Sequence, residues 1–146
     1  AVTWNIAGDQ RSRTAPESFN SLDKLLAVQQ EVKRWRADFI ALQECIGASA
    51  LELLCQTYAF AGSAPSHAGH VHLYVRQTYS WTRIELPIGC PCVVAKVVLP
   101  DQQGSLDVSA VHFVLHEDGA RRRMTHMSSL VSYFGLFGCC PRRHEC

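Results

Sequence analysis

Val2-Thr3-Trp4-Asn5-Ile6 and, a helix's length further on, Phe39-Ile40-Ala41-Leu42-Gln43-Glu44 decide how this chain folds. The first stretch alternates, is β-prone and stops at Gly8, so it reads as a strand followed by a loop. The second is a short apolar run of the kind that forms a buried strand, and it ends at Gln43-Glu44. Between them Leu22, Leu25, Leu26, Val32 and Trp35 recur at helical spacing. Asn20 or Ser21 can cap that helix, and it is expected to end near Arg36. Strand, helix and strand of these lengths make a βαβ unit with two parallel strands.

Beyond Glu44 a second, shorter helix is expected over residues 48–54, and then the texture turns to β. The candidate strands are Tyr58–Ala61, His70–Arg76, Trp81–Leu86, Cys92–Leu99 and Leu106–Phe113. Turn signals at Gly62 to Pro65, Pro87 to Gly89 and Pro100 to Gly104 separate them. A last helix is expected over Gly119–Phe134, with Met124, Met127, Leu130, Val131 and Phe134 on one face. Residues 135–146 form a Cys- and Arg-rich tail without periodicity. The fold class is α/β, a mixed and mostly antiparallel sheet with flanking helices.

Composition sets the outer limits. The chain has 146 residues, 47% hydrophobic and 18% charged. That is one ordinary domain with a sizeable core, and it excludes a mainly disordered chain. No apolar run approaches the ~20 residues that span a bilayer. No charged n-region with an apolar h-region opens the chain, so no signal peptide is visible. Net charge is +1, unevenly spread: residues 119–146 carry five Arg and one acid, Glu145, on a slightly acidic body. Such an end can touch phosphate, and a solvated helix face explains Arg121, Arg122 and Arg123 equally well. Seven cysteines are an odd number, and Cys45, Cys55, Cys90 and Cys92 sit in or beside apolar runs. They read as buried thiols of a reduced, intracellular protein, the nucleus included. Cys90-Pro-Cys92 and the tail set Cys139, Cys140, His144 and Cys146 lack the paired spacing of a zinc site.

Asn5 and Glu44 are the most informative polar residues. Each closes a predicted strand, and ligands of open α/β sheets bind outside the carboxyl ends of strands. A Glu closing an apolar run is costly to bury unless it is paired or metal-bound. Its hard oxygens suit Mg²⁺ or Mn²⁺. Read by itself, without any resemblance, Glu44 is the first solvated residue after a strand. His70 and His72 share one strand face, with His67 close by, and are either a metal pair or ordinary sheet histidines. Trp4, Trp35 and Trp81 are spaced for core packing, not for base stacking. Arg11 and Arg13 follow Asn5 on the first loop, where they contact a phosphate backbone or simply face solvent.

The block Val2–Gly8, the intervening helix and Ala37–Glu44 with its Leu-Gln-Glu ending resemble the opening of the endonuclease/exonuclease/phosphatase family. That family contains DNase I-like nucleases, abasic-site and retrotransposon endonucleases, sphingomyelinases and inositol phosphatases. Gly69–Arg76 is similar to its Gly-Val-Ala-hydrophobic-x-x-Arg strand, and Val111-His112-Phe113 to its hydrophobic-His-Leu strand end. Arg123-Met124-Thr125-His126 resembles its Arg-x-x-Gln, with His126 in place of Gln. These pieces run in family order over residues 1 to about 134.

The resemblance implies the first half of a four-layer α/β sandwich and a Mg²⁺- or Mn²⁺-dependent phosphodiesterase, of the endonuclease type, acting on nucleic acid. It implies that Glu44 binds the metal, that Asn5 helps hold metal-bound water or phosphate, and that His112 supports phosphate binding or orients its neighbours. The family's later Gly-Asp-x-Asn and Asp-His motifs do not occur here. A fragment, a truncated gene copy or a frameshifted end would each account for that. The expected alternatives are a non-catalytic remnant that binds a partner through an exposed sheet, by self-association or otherwise, and a site completed by a second chain.

Overall fold

The structure, a computed structural model, describes residues 1–6, 21–45, 54, 56–66, 69–86, 90–100, 104–112, 124 and 128, with side chains of the first helix from residue 26 onward. The chain divides into two units, Ala1–His112 and Phe113–Cys146. Every element below belongs to the first. Of the second, Met124 and Ser128 are described, and both are helical.

The opening βαβ unit forms as its sequence requires. Strand β1 (Val2–Asn5) and strand β2 (Phe39–Cys45) pair in parallel, Val2 opposite Ile40 and Asn5 opposite Gln43, and helix α1 (Ser21–Trp35) makes the crossover. The next two strands, β3 (Tyr58–Ser66) and β4 (Gly69–Arg76), are antiparallel, and β4 inserts beside β2. The first sheet therefore has the order β1-β2-β4-β3. The remaining strands, β5 (Ser80–Ile84), β6 (Cys92–Val98) and β7 (Ser105–Val111), form an antiparallel second sheet in sequence order.

Three layers result. On one face of the first sheet, Val28 and Val32 of α1 pack against Ile40, Leu42, Cys45, Tyr58 and Tyr74. On the other face, Val71, Leu73 and Val75 pack against Val93, Ala95, Val97 and Ala110 of the second sheet. Strand β4 is covered on both faces, which is why Val71 to Val75 are all buried and why its sequence reads as a continuous run. Strand β3 lies over β5 and β6, and β2 over β7. The α/β class and the half-sandwich are thus the architecture found.

Two local expectations change. Gly62 to Pro65, read as a turn, continue β3 to Ser66. A bulge between Phe60 and Gly62 absorbs the irregularity. Gly62, at φ 153°, lies under Arg83, where a Cβ would come within 3.0 Å of the guanidinium. Pro65 is tolerated because β3 is an edge strand, where a missing N–H breaks no ladder. On α1 the buried stripe is Val28 and Val32, whereas Leu26 and Trp35 are 40% and 37% exposed. Trp35 still packs edge-on against Trp4, ring centroids 5.3 Å apart. The expected helices over residues 48–54 and 119–134 and the tail 135–146 lie outside the described residues, apart from the isolated positions given above.

Arg76, the arginine of the family-like strand, holds the helix exit. Its guanidinium donates to the carbonyls of Arg36 and Ala37 and pairs with Asp38 at 3.4 Å. Arg36 leaves the helix in the left-handed region, φ 47°, and Tyr58 Oη donates to Ala37 O at 2.9 Å. Carbonyls that the helix leaves unpaired thus find donors on β3 and β4. Among the described residues no helix is long and apolar enough to cross a membrane.

Candidate active site

Alternation along β1 places Val2 and Trp4 against the helix-side core, so Thr3 and Asn5 face the second sheet. In β2, Ile40 and Leu42 fill the same helix-side core. Strict alternation would send residue 44 there too, burying a carboxylate among apolar side chains. The pairing with β4 prevents this. Leu42 lies opposite His72, but Cys45 lies opposite His70, so β2 carries one extra residue. The bulge is accommodated by Glu44 in the left-handed region, φ 56°. Cys45 takes the core place, and Glu44 turns away from it.

Neighbouring backbone fixes the bulge. Ile6 N donates to Gln43 O at 3.0 Å, continuing the ladder from β1. Gln43 Nε2 donates to Val111 O at 3.0 Å and approaches Thr3 Oγ1 at 3.5 Å, tying the end of β2 to the end of β7. His112 follows β7 directly, and its N–H donates to Pro91 O at 3.4 Å.

Three side chains meet there. Asn5 Nδ2 donates to Glu44 Oε1 at 2.8 Å, and His112 Nε2 lies 3.5 Å from the same oxygen. The Glu44 side chain is 21% exposed, that of His112 9%, and Asn5 is exposed. Ser66 Oγ stands 3.3 Å from His112 Nδ1 and donates to Gly69 O at 3.3 Å. Both contacts to the carboxylate fall on Oε1, and among the described residues none falls on Oε2.

That oxygen and the Asn5 carbonyl are hard donors at a half-open sheet end. Among the described residues no group of three or more His, Cys, Asp or Glu can hold a metal ion. The donor set fits a divalent ion held by one carboxylate, with water and phosphate in its other positions, which is the habit of Mg²⁺. It does not fit zinc, which takes three or four protein ligands.

Asn5, Glu44 and His112 are therefore side by side. Arg11, Arg13 and His67 lie outside the described residues. His72 is a core residue, fully buried, its Nδ1 3.1 Å from Tyr74 Oη and its ring against Phe60. Among the described cysteines Cys45, Cys90 and Cys92 are free thiols. Burial pushes Cys45 up to about 12, opposed by the His72 backbone N–H, and pushes Cys92 to about 12 as well, with Cys90 adding to the rise. Thiols so shifted are inert, so neither Cys45 nor Cys92 serves as a nucleophile. Sequence reasoning missed Ser66. Its signal was a serine three positions before a glycine between two strands, which reads first as turn chemistry.

No family model matches the sequence, and no curated protein matches it. Among solved structures the chain is similar to a crystal structure of D. rerio TDP2 humanized by 14 mutations, with a TM-score of 0.64 and 15% identity. The match covers 91% of this chain and 54% of that one. At this identity the likeness is one of fold: the chain shares the mixed α/β architecture of this neighbour and spans about half its length.

Proposed function

We propose that Asn5, Glu44 and His112 form the metal- and phosphate-binding end of a phosphodiesterase site that cleaves nucleic acid with Mg²⁺ or Mn²⁺. The observation that carries this reading is the convergence of two donors on Glu44 Oε1 at the carboxyl ends of adjacent parallel strands, with Oε2 left to a cation. Glu44 through Oε2 and Asn5 through Oδ1 would hold the ion. A bound divalent ion supplies charge neutralisation at the phosphate oxygens and at the leaving oxygen. Asn5 Nδ2 keeps the carboxylate in one orientation, and His112 Nε2 holds a proton toward it and supports the phosphate. Arg11 and Arg13 would contact flanking phosphates. The choice of nucleic acid rests on those arginines and on the resemblance to abasic-site and retrotransposon endonucleases.

A second reading is a partner-binding module that keeps half of the fold. It is favoured by β1 and β7, each at the edge of its sheet among the described residues. One experiment separates the two. The purified chain is incubated with Mg²⁺ or Mn²⁺ and with intact and abasic DNA, beside Glu44→Ala. Metal-dependent cleavage lost in the variant supports the phosphodiesterase. A cooperatively folded wild type that cleaves neither substrate overturns it as an activity of this chain.

A further inference from the structure

We infer that Ser66 is a positioning residue of this site, holding the His112 ring so that Nε2 faces Glu44. The inference rests on the proposed metal-binding role of Glu44. Hydrogen-bond accounting leads to it. A serine hydroxyl has one proton, and a backbone carbonyl can only accept. Ser66 Oγ makes both contacts, to Gly69 O and to His112 Nδ1, each at 3.3 Å. That proton goes to Gly69 O or to His112 Nδ1, and either way Oγ lies on Nδ1 and holds that side of the ring. With Nδ1 anchored, Nε2 is the ring atom presented to Glu44 Oε1, 3.5 Å away.

The anchor is itself built into the Glu44 bulge. Gly69 pairs with Ser66 across the β3–β4 ladder. Its φ is +119°, and a Cβ there would come within 2.6 Å of Cys45 O and 3.3 Å of the Glu44 carbonyl carbon. The strand end that holds Ser66 thus lies against the residues that turn Glu44 out of the core. Ser66, Gly69 and the bulge form one packed unit, and His112 from the second sheet is the side chain it orients. A residue that touches a metal ligand directly typically changes metal affinity 10- to 100-fold, and Ser66, which acts on Glu44 through His112, is placed at the low end of that range.

A serine that only served its own hairpin through Gly69 would affect stability and nothing else, so the test reads the imidazole directly. Long-range ¹H–¹⁵N spectra of the metal-free wild type should show His112 Nδ1 displaced, by its hydrogen bond, from its shift in the urea-unfolded chain. Ser66→Ala should lose that displacement and bind Mn²⁺ about 10-fold more weakly. Ser66→Thr, which keeps the hydroxyl, should restore both. A folded wild type whose Nδ1 shift equals the unfolded value overturns the inference without any variant, even if Ser66→Ala fails to fold. So does Ser66→Ala with wild-type Nδ1 shift and Mn²⁺ affinity. A protein that shows the Nδ1 displacement and its loss in Ser66→Ala, yet cleaves no DNA, supports the positioning and counts against the proposed activity alone.

Discussion

Asn5 Nδ2 lies 2.8 Å from Glu44 Oε1, yet the backbone partner of Asn5 in the parallel ladder is Gln43. The side-chain pair is thus one step out of register with the strand pair. The bulge at the end of β2 supplies that step, and it brings an amide and a carboxylate together that regular pairing would hold apart. Since the carboxylate can only accept, the amide nitrogen is the Asn5 atom facing it.

The two partners should therefore differ in weight. Glu44→Ala removes the charged donor and is expected to abolish measurable Mn²⁺ binding. Asn5→Ala leaves the carboxylate but frees its rotation, and a 10- to 100-fold loss of affinity is expected. Isothermal titration calorimetry with Mn²⁺ reads both. Equal binding by Glu44→Ala and wild type would remove Glu44 from the metal site.

The left-handed backbone of Glu44 predicts a separation of stability from function. A non-glycine residue in that region costs on the order of 1–2 kcal/mol. Glu44→Gly removes the cost, with some of the gain lost to the greater entropy of unfolded glycine. Its midpoint of urea unfolding should equal or exceed that of wild type while Mn²⁺ binding disappears. Glu44→Val, β-branched and ill suited to positive φ, should be less stable by roughly 1–3 kcal/mol. A Glu44→Gly protein clearly less stable than wild type would show that Glu44 contributes to the fold through more than its backbone.

Gly69 gives the complementary case. A methyl group there meets Cys45 O at 2.6 Å, and φ +119° is a region that L residues rarely enter. Gly69→Ala should cost about 1–3 kcal/mol from backbone strain, with the steric clash in addition. Because Gly69 O receives the Ser66 hydroxyl, the same variant should disturb the His112 ring. Unchanged thermal stability in Gly69→Ala would mean that β2 and β4 separate there at little cost.

Much of the framework was legible in the sequence because it depends on local periodicity. Helix α1 and the parallel pair β1–β2 follow from the spacing of apolar residues between Val2 and Leu42, and so does the emergence of Asn5 and Glu44 at one sheet end. Legibility failed where tertiary contacts override local signals. Gly62 and Pro65 punctuate the sequence like a turn, but edge position and a bulge let β3 run through them. Val28, which lies in the helix-side core, did not stand out among Leu22, Leu25 and Leu26. The left-handed Glu44 has no signature at all in Leu-Gln-Glu-Cys. Its cause is the demand that Cys45, not Glu44, complete the core. Ser66 was hidden for a related reason: its partner His112 lies on the other sheet, 46 positions away.

The buried thiols predict an alkaline limit to stability. Burial raises Cys45 and Cys92 from the ordinary 9.0 to about 12 in the folded chain. Below pH 9 both folded and unfolded thiols keep their protons, and the shift has no effect. Between pH 9 and 12 the unfolded chain releases these protons while the folded chain retains them, so stability falls as pH rises. Each thiol contributes a slope of up to about 1.4 kcal/mol per pH unit in that window. Urea midpoints measured from pH 8 to 10.5 should therefore decline in the wild type. They should decline less steeply in Cys45→Ala and in Cys92→Ala, with each variant compared with its own value at pH 8. Native protein at pH 8 should also leave both thiols unalkylated by iodoacetamide, while denatured protein reacts. Identical pH slopes in wild type and both variants, or rapid alkylation of either residue in the native state, would show that these side chains are not buried as the structure places them.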